Sequence, residues 1–187
     1  NIDPKDVAIL KGIGGWWQTN HESIRGTTRT PLTPQTWGES TRKGDTLYLH
    51  VFNWPTSGEL VVGGLKSPAK DAHLLADGLV QQSPIFKTTR LNPLDVVVHL
   101  PVTAPDNVDA VVALQCEGEI QADTNRLLQP LFPVETLRAF DGQLHGGLRF
   151  GPGKKTDDVV MNWQKPNQFI SWPVRLNSPT DYEVIAN

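Results

Sequence analysis

Two different hydrophobic periods divide the first 120 residues of the chain. Near the start, Asp3 is placed to cap a helix and Pro4 to open it, and apolar residues then recur three or four positions apart. These apolar residues are Val7, Leu10, Ile13 and Trp17. Because this spacing places them on one face of a helix, it predicts a helix over the first twenty residues.

From Trp37 onward the apolar residues recur at every second position, as they do in a half-buried strand. In the segment 46–52, Leu47, Leu49 and Val51 fall on one face, and the opposite face carries Tyr48, His50 and Phe52. Four further strand-like runs follow, at 59–65, 71–78, 96–101 and 109–118. Turn residues recur roughly every ten positions, which is typical of an antiparallel β-sandwich.

A change in composition marks a boundary after residue 120. Residues 121–133 are polar and then interrupted by proline, which predicts a linker, and residues 134–187 resume a strand-like pattern. We therefore predict a mainly β chain of four parts. They are a helix and loop at 1–34, a β-sandwich at 35–120, the linker at 121–133 and a partial second β module at 134–187.

Composition and charge exclude several classes of function. The 187 residues carry a net charge of −3, which provides no positive surface for nucleic acid or an anionic membrane. No apolar run reaches the roughly 20 residues that a membrane helix needs. The only cysteine, Cys116, excludes an internal disulfide, and we expect it to be a buried apolar residue. The first residue is Asn1 and the only methionine is Met161, so we expect a piece of a longer protein.

No metal or cofactor site is predicted. His50 lies in the middle of a predicted strand, and neither it nor His73, His99 or His145 has a second ligand at metal spacing, so structural roles are favoured. Glu22, one of the few acids near the end of the helix, is expected to make a local hydrogen bond there. Trp37 and Trp54 suit a sugar-binding surface, but the usual burial of tryptophan favours packing.

Trp163 and Trp172 are the better candidates for contact with a ligand. They lie nine positions apart, and the polar residues between them include Asn167 and Gln168, whose amides suit sugar hydroxyl groups. The alternative is that both indoles form the core of the second β module, since even tryptophan-rich β modules bury most of their tryptophans. We retain Trp163, Trp172 and Gln168 as candidate carbohydrate-binding residues.

Three segments together resemble the family 29 glycoside hydrolases, the α-L-fucosidases. The first has the form Asn-x-Glu-x-Ile-x-Gly-Thr at residues 20–27, where His21, Ser23 and Arg25 depart from the family's usual residues. The second is Trp-Gly-x-x-Thr-x-Lys-Gly at 37–44, and the third is Tyr-Leu-His-Val-Phe-x-Trp-Pro at 48–55. The likeness covers about residues 1–120.

The resemblance implies a parent enzyme that removes terminal α-linked fucose with retention, using a nucleophile and an acid/base on a (β/α)8 barrel. Both carboxylates precede this segment in the family, so no catalytic residue is assigned here. Residues 1–20 would be the last helix of the barrel, residues 35–120 an accessory sandwich, and His21, Glu22 and Arg25 would lie at the barrel rim. The implied partners are that barrel and a fucosylated glycan, and the implied location is periplasmic or secreted in a bacterium.

The last third resembles the opening of galactose-binding-like β-sandwiches that are appended to bacterial glycosidases. Trp163, Trp172 and Tyr182 occupy the matching positions, whereas Asp181 stands where glycine is usual. Two functions remain open: a non-catalytic C-terminal region of a fucosidase-like hydrolase, or a free-standing carbohydrate-binding or adhesion module. The first is preferred, because a free module has no reason to expose Trp16 and Trp17 on its helix.

Overall fold

The computed structural model describes residues 3–75, 84–129, 134–152 and 159–185. They form two compact units, Asn1–Thr124 and Asn125–Asn187. Most regular structure in both units is β, the larger sheets are antiparallel, and the described residues contain one α-helix. The prediction of a mainly β chain with one helix is therefore confirmed at this level, and the sandwich arrangement stays a prediction.

The predicted helix is present as α1, Pro4–Asn20. Its start follows the sequence signal, because the Asp3 side chain accepts a hydrogen bond from the Lys5 backbone N–H at 2.8 Å and Pro4 occupies the first turn. At its C-terminal end the helix tightens into a 3₁₀ turn, His21–Ser23. There the Ser23 hydroxyl donates to the Asn20 carbonyl at 2.8 Å, which satisfies a carbonyl that the ending helix leaves unpaired.

Within the described residues of the first unit, eight strands form two antiparallel sheets. The five-stranded sheet has the order β1-β2-β3-β8-β5, and the three-stranded sheet has the order β4-β7-β6. The strands are β1 Thr28–Arg29, β2 Gly38–Lys43, β3 Thr46–Val51, β4 Glu59–Gly63, β5 Ala69–Leu74, β6 Thr88–Asn92, β7 Asp95–His99 and β8 Ala110–Cys116. Strand β3 lies between β2 and β8, so its backbone is paired on both sides.

Strand β3 is buried on both of its faces, which the alternating pattern does not predict. Leu47, Leu49 and Val51 are buried as expected, but Tyr48 and His50 on the opposite face are buried as well, and only Phe52 is exposed. The cause is Trp16 of α1, which packs against a cluster on that second face. The cluster is formed by Tyr48, Leu75, Val111 and Ala113.

The segment before β2 joins the two sheets. Trp37 is fully buried, and its indole N–H donates to the Val61 carbonyl on β4 at 2.9 Å, which confirms the prediction that this residue is used for packing. The Gln35 side chain both donates to and accepts from the Gly63 backbone at 3.0 Å. Gly38 has φ +153°, and a Cβ atom there would lie 2.0 Å from the His50 carbonyl oxygen, so the position admits only glycine.

The part of the second unit that the structure describes contains three pairs of two-residue strands. Two pairs are antiparallel and one is parallel. The antiparallel pairs are β10 Gln143–Leu144 with β13 Ile170–Ser171, and β11 Arg149–Phe150 with β12 Val160–Met161. The parallel pair is β9 Arg126–Leu127 with β14 Val174–Arg175, and Arg126 is held by the Glu135 carboxylate at 2.7 Å. Most described residues of this unit therefore lie in loops rather than in strands.

Parts of two predicted elements lie outside the described residues. These parts are residues 76–78 of the predicted run at 71–78 and residues 130–133 of the predicted linker. Within the described part of that linker, Ala122 forms a β-bridge with Leu65, and the Asp123 backbone N–H donates to the Gly64 carbonyl at 2.8 Å.

Candidate functional site

The end of helix α1 is fastened to the five-stranded sheet through Trp16. Its indole N–H donates to the Asp109 carbonyl just before β8 at 2.9 Å, and its ring centroid lies 6.1 Å from that of His50. The Asp109 carboxylate binds His50 Nδ1 at 3.0 Å. Asp109 thus contacts both the helix and the sheet, through its backbone and its side chain respectively.

His50 has the structural role that the sequence favours. The side chain is buried beneath Trp16, and its Nδ1 is bonded to Asp109. Its Nε2, like Asp109 Oδ1, is buried and finds no hydrogen-bond partner among the described residues. Groups of three or more histidine, cysteine, aspartate or glutamate side chains that would hold a metal ion do not occur in the described ranges.

The loop that leaves the helix carries the three predicted rim residues. His21 is exposed, its Nδ1 lies 3.2 Å from the Trp17 carbonyl oxygen, and the two ring centroids are 5.9 Å apart. The backbone N–H of Arg25 donates to the His21 carbonyl at 2.7 Å, and the Arg25 side chain is exposed. These two residues therefore present polar groups to the outside of the unit.

Glu22, the third rim residue, is hydrogen-bonded to the five-stranded sheet. Its Oε1 accepts a hydrogen bond of 2.6 Å from the Tyr48 hydroxyl on β3. The prediction that Glu22 makes a local hydrogen bond is therefore wrong, because its partner lies 26 positions away in sequence. Burial, with the hydrogen bond to Glu22 and its negative charge, raises the pKa of Tyr48 well above its usual value.

Most of helix α1 outside this junction is exposed, including its apolar side. Ile9, Leu10, Ile13 and Trp17 are 61%, 59%, 57% and 40% exposed. At 100° per residue, these four positions fall within about 100° of arc and form one stripe, here called the α1 stripe. Trp16 was expected to be exposed with Trp17 but is half-buried against the sheet.

The two candidate tryptophans of the second unit have different surroundings. Trp163 is 53% exposed, and its indole N–H donates to the Val160 carbonyl at 3.0 Å. Trp172 is half-buried, and its indole N–H donates to the Arg138 carbonyl at 2.8 Å. A Cβ atom on Gly142 would lie 2.9 Å from Trp172 Nε1, so the indole packs directly over that glycine backbone.

Gln168 is buried and shapes the loop between the two tryptophans. Its side-chain oxygen accepts from the backbone N–H groups of Gln164 and Lys165 at 2.5 and 2.8 Å. Its side-chain nitrogen donates to the carbonyls of Gly146 and Asn162 at 2.8 and 3.0 Å. All four hydrogen-bonding positions of the amide are therefore used, two within the loop and two that tie it to Gly146 and Asn162.

Comparison with solved structures shows what this arrangement is similar to. An α-L-fucosidase from Vibrio sp. strain EJY3 matches with a TM-score of 0.54 and 25% sequence identity over 70% of this chain. The α-L-fucosidase isoenzyme 1 from Paenibacillus thiaminolyticus matches with a TM-score of 0.54 and 29% identity over 63%. The resemblance to α-L-fucosidases is confirmed.

A third similar structure is assigned to family GH29. It is a GH29 α-L-fucosidase from Bacteroides thetaiotaomicron, with a TM-score of 0.55 and 25% identity over 63% of this chain. The chain spans only about a quarter of the length of these three proteins, namely 23%, 28% and 26%. No protein-family profile and no curated sequence matches it. None of the helices in the described part of the chain is long and apolar enough to cross a membrane.

Proposed function

We propose that this chain is the non-catalytic C-terminal accessory β region of a fucosidase-like retaining glycoside hydrolase. In this proposal α1 is the last helix of a catalytic (β/α)8 barrel, the two sheets of the first unit form a sandwich that buttresses it, and the parent protein hydrolyses terminal α-L-fucosides. As part of the same proposal, the parent acts in the bacterial periplasm or outside the cell. The structural similarity to α-L-fucosidases supports the reaction class.

The observation that carries the proposal is the α1 stripe. Ile9, Leu10 and Ile13 are each more than half exposed, although they lie along one side of a helix. Covering an aliphatic side chain of this size is worth about 1.5–3 kcal/mol, so a stripe of this kind favours a partner surface. The partner we assign to it is the rest of the parent's barrel.

The environment of Glu22 supports a non-catalytic role. Retaining hydrolysis requires two carboxyl groups about 5–5.5 Å apart on either side of the scissile bond, and one of them must carry a proton at the working pH. The Glu22 carboxylate accepts the Tyr48 hydroxyl instead. We therefore assign the catalytic pair to the preceding barrel and expect no turnover by this chain.

Two activity measurements test the assignment. The 187-residue chain is incubated with an aryl α-L-fucoside, and the same assay is run on the chain joined to its upstream reading frame. We expect hydrolysis only by the joined protein, with a barrel of roughly 300 residues upstream of Asn1. Turnover by the isolated chain at a rate typical of such enzymes would show that the catalytic pair has been misplaced.

A pair of matched variants tests the role of the α1 stripe. Ile13→Asp introduces a carboxylate within the stripe, and Ala8→Asp introduces one about 140° away around the helix. In the joined protein we expect the first to lower the melting temperature and the activity and the second to change neither. In the isolated chain neither should reduce stability by more than about 0.7 kcal/mol, the difference in helix propensity, because both positions are exposed. Equal behaviour of the two variants in the joined protein would contradict the assigned interface.

The second candidate function is carbohydrate binding by the second unit. The observation in its favour is Trp163, which offers a large exposed indole beside a loop that Gln168 holds in shape. Flat indole faces suit the apolar side of a pyranose ring. In this proposal Trp163 and Trp172 contact the sugar, and Gln168 contributes by fixing the loop.

Calorimetry separates the second candidate from simple packing. The chain is titrated with fucose, galactose and a plant or algal oligosaccharide. Heat that is lost in both Trp163→Ala and Trp172→Ala supports binding, provided that circular dichroism shows both variants folded. Heat that is unchanged in Trp163→Ala would exclude that residue from the site, and the absence of heat in the wild-type chain would exclude binding of these sugars.

A further inference from the structure

Two hydrogen bonds from strands β2 and β3 hold the loop that follows helix α1. The Tyr48 hydroxyl donates to Glu22, the Thr41 hydroxyl donates to the Ser23 carbonyl, and Ser23 itself is fully buried. The loop residues on either side, His21 and Arg25, have exposed side chains. The sheet therefore holds the centre of the loop, residues 22 and 23, in place, whereas the flanking side chains of His21 and Arg25 face outward. This hold is here called the grip on the loop.

Tyr48 is well suited to fix this loop, because its own position is fixed. Its side chain is only 3% exposed and packs with Trp16, Val111 and Ala113. An O–H donor that meets a carboxylate at 2.6 Å makes a short, charge-assisted hydrogen bond, roughly twice as strong as a neutral one. A rigid donor and a short bond together restrict where the Glu22 side chain lies.

We propose that Tyr48 is a positioning residue, which holds Glu22 so that His21 and Arg25 are presented in one fixed arrangement to the glycan at the barrel rim. The assignment of the loop to that rim rests on the proposed function, whereas the grip on the loop rests on the contacts within the first unit. Arg25 offers several N–H donors and His21 a donor or an acceptor, which suits the hydroxyl groups of a sugar adjoining the cleaved residue. The expected influence of Tyr48 is therefore on substrate preference.

Hydrogen exchange of the 187-residue chain tests the grip directly. In Tyr48→Phe the amides of residues 21–27 should exchange about 10-fold faster than in the wild type, while those of β3 and β8 keep their rates. Glu22→Ala should give the same increase, and adding it to Tyr48→Phe should give no more. Glu22→Gln keeps an oxygen acceptor for the phenol but loses the charge, so its exchange rates should lie between those of the wild type and of Glu22→Ala.

A control on the same strand separates positioning from general loosening. Thr46→Val removes the hydrogen bond of 2.8 Å from the Thr46 hydroxyl to Gln115, and it touches no residue of the loop. It should leave the exchange of residues 21–27 unchanged. Wild-type exchange of the loop in Tyr48→Phe, or an equal increase across β3 and β8, would overturn the positioning role.

Kinetics of the protein joined to its upstream barrel test the consequence for substrate. Tyr48→Phe should raise KM for a fucosylated oligosaccharide while kcat stays within about twofold, because the catalytic pair is untouched. A fall in kcat with unchanged KM would overturn the proposed influence on substrate. If the joined protein hydrolyses no fucoside at all, the proposed function fails. The exchange experiment still decides whether Tyr48 holds the loop.

Discussion

Cys116 makes the stability of the first unit sensitive to alkaline pH. The residue ends strand β8, where it is fully buried. Burial, and to a lesser extent the negative charge of the nearby Asp45, raise the pKa of its thiol from 9.0 to about 11, with the positive charge of Arg90 acting against them. The folded unit therefore keeps the proton at a pH where the unfolded chain releases it.

The sign and size of the effect follow from linkage. The folded state holds the proton more tightly, so the stabilisation is fully present below pH 9 and is lost as the pH rises from 9 toward 11. At pH 10 the thiol is mostly ionised in the unfolded chain and mostly protonated in the folded unit. The free energy of unfolding is therefore about 1.4 kcal/mol lower than at neutral pH. The complete loss, for a shift of this size, is about 2.7 kcal/mol.

Urea unfolding at pH 7, 8, 9 and 10 measures this loss in the wild type and in Cys116→Ala. Replacing Trp163 and Trp172 by phenylalanine leaves only the tryptophans of the first unit to report by fluorescence. Cys116→Ala lowers stability at every pH because it removes a buried side chain, but that cost does not depend on pH. We expect the free energies of the two proteins to converge by about 1.4 kcal/mol between pH 7 and pH 10.

The difference between the two proteins isolates the thiol from other groups that titrate at high pH. Tyr48 also has a raised pKa, so it too lowers stability as the pH rises above its usual value, but it is present in both proteins. A constant difference between wild type and Cys116→Ala across the whole pH series would refute the argument. It would show that the Cys116 thiol has the same pKa in the folded and unfolded states.

Three further predictions concern single positions. Gly38→Ala should prevent folding of the first unit, since its Cβ would lie 2.0 Å from the His50 carbonyl oxygen. Gly44→Ala is the control: Gly44 has φ +62° and no atom within 4 Å of an added Cβ, so this change should cost only about 1 kcal/mol in urea unfolding. Asp95→Ala should cost about 2–4 kcal/mol, because a fully buried carboxylate that accepts the Gly64 N–H is lost; a cost below 0.5 kcal/mol would contradict this. Gln168→Ala should speed hydrogen exchange of residues 162–168 by at least about 10-fold and leave the first unit unchanged.

Local sequence signals predicted the elements of the first unit well. Asp3 and Pro4 start helix α1 where expected, because a cap and a first-turn proline act on the adjacent backbone. The alternation at 46–52 predicted strand β3. These signals succeed because each depends on residues close together in the chain.

The candidate site was only partly predictable. His21, Glu22 and Arg25 were singled out, but the sequence did not indicate that Glu22 pairs with Tyr48, which lies on the face of β3 opposite its aliphatic residues. The sequence did contain one clue, namely two large aromatic side chains with polar groups, Tyr48 and His50, in the middle of a predicted strand. Such residues are rarely left uncovered, and their cover here is Trp16.

The sequence by itself determined the helix, most of the strands of the first unit and the likeness to α-L-fucosidases, since motifs and periodicity are properties of neighbouring residues. Only the tertiary structure decided which face of β3 is covered and by what. It also decided that Asp109 joins helix α1 to the sheet and that the Gln168 side chain holds its loop by hydrogen bonds. The physical reason is that these contacts join residues that are distant in the chain or on different elements, where no local period records which groups meet.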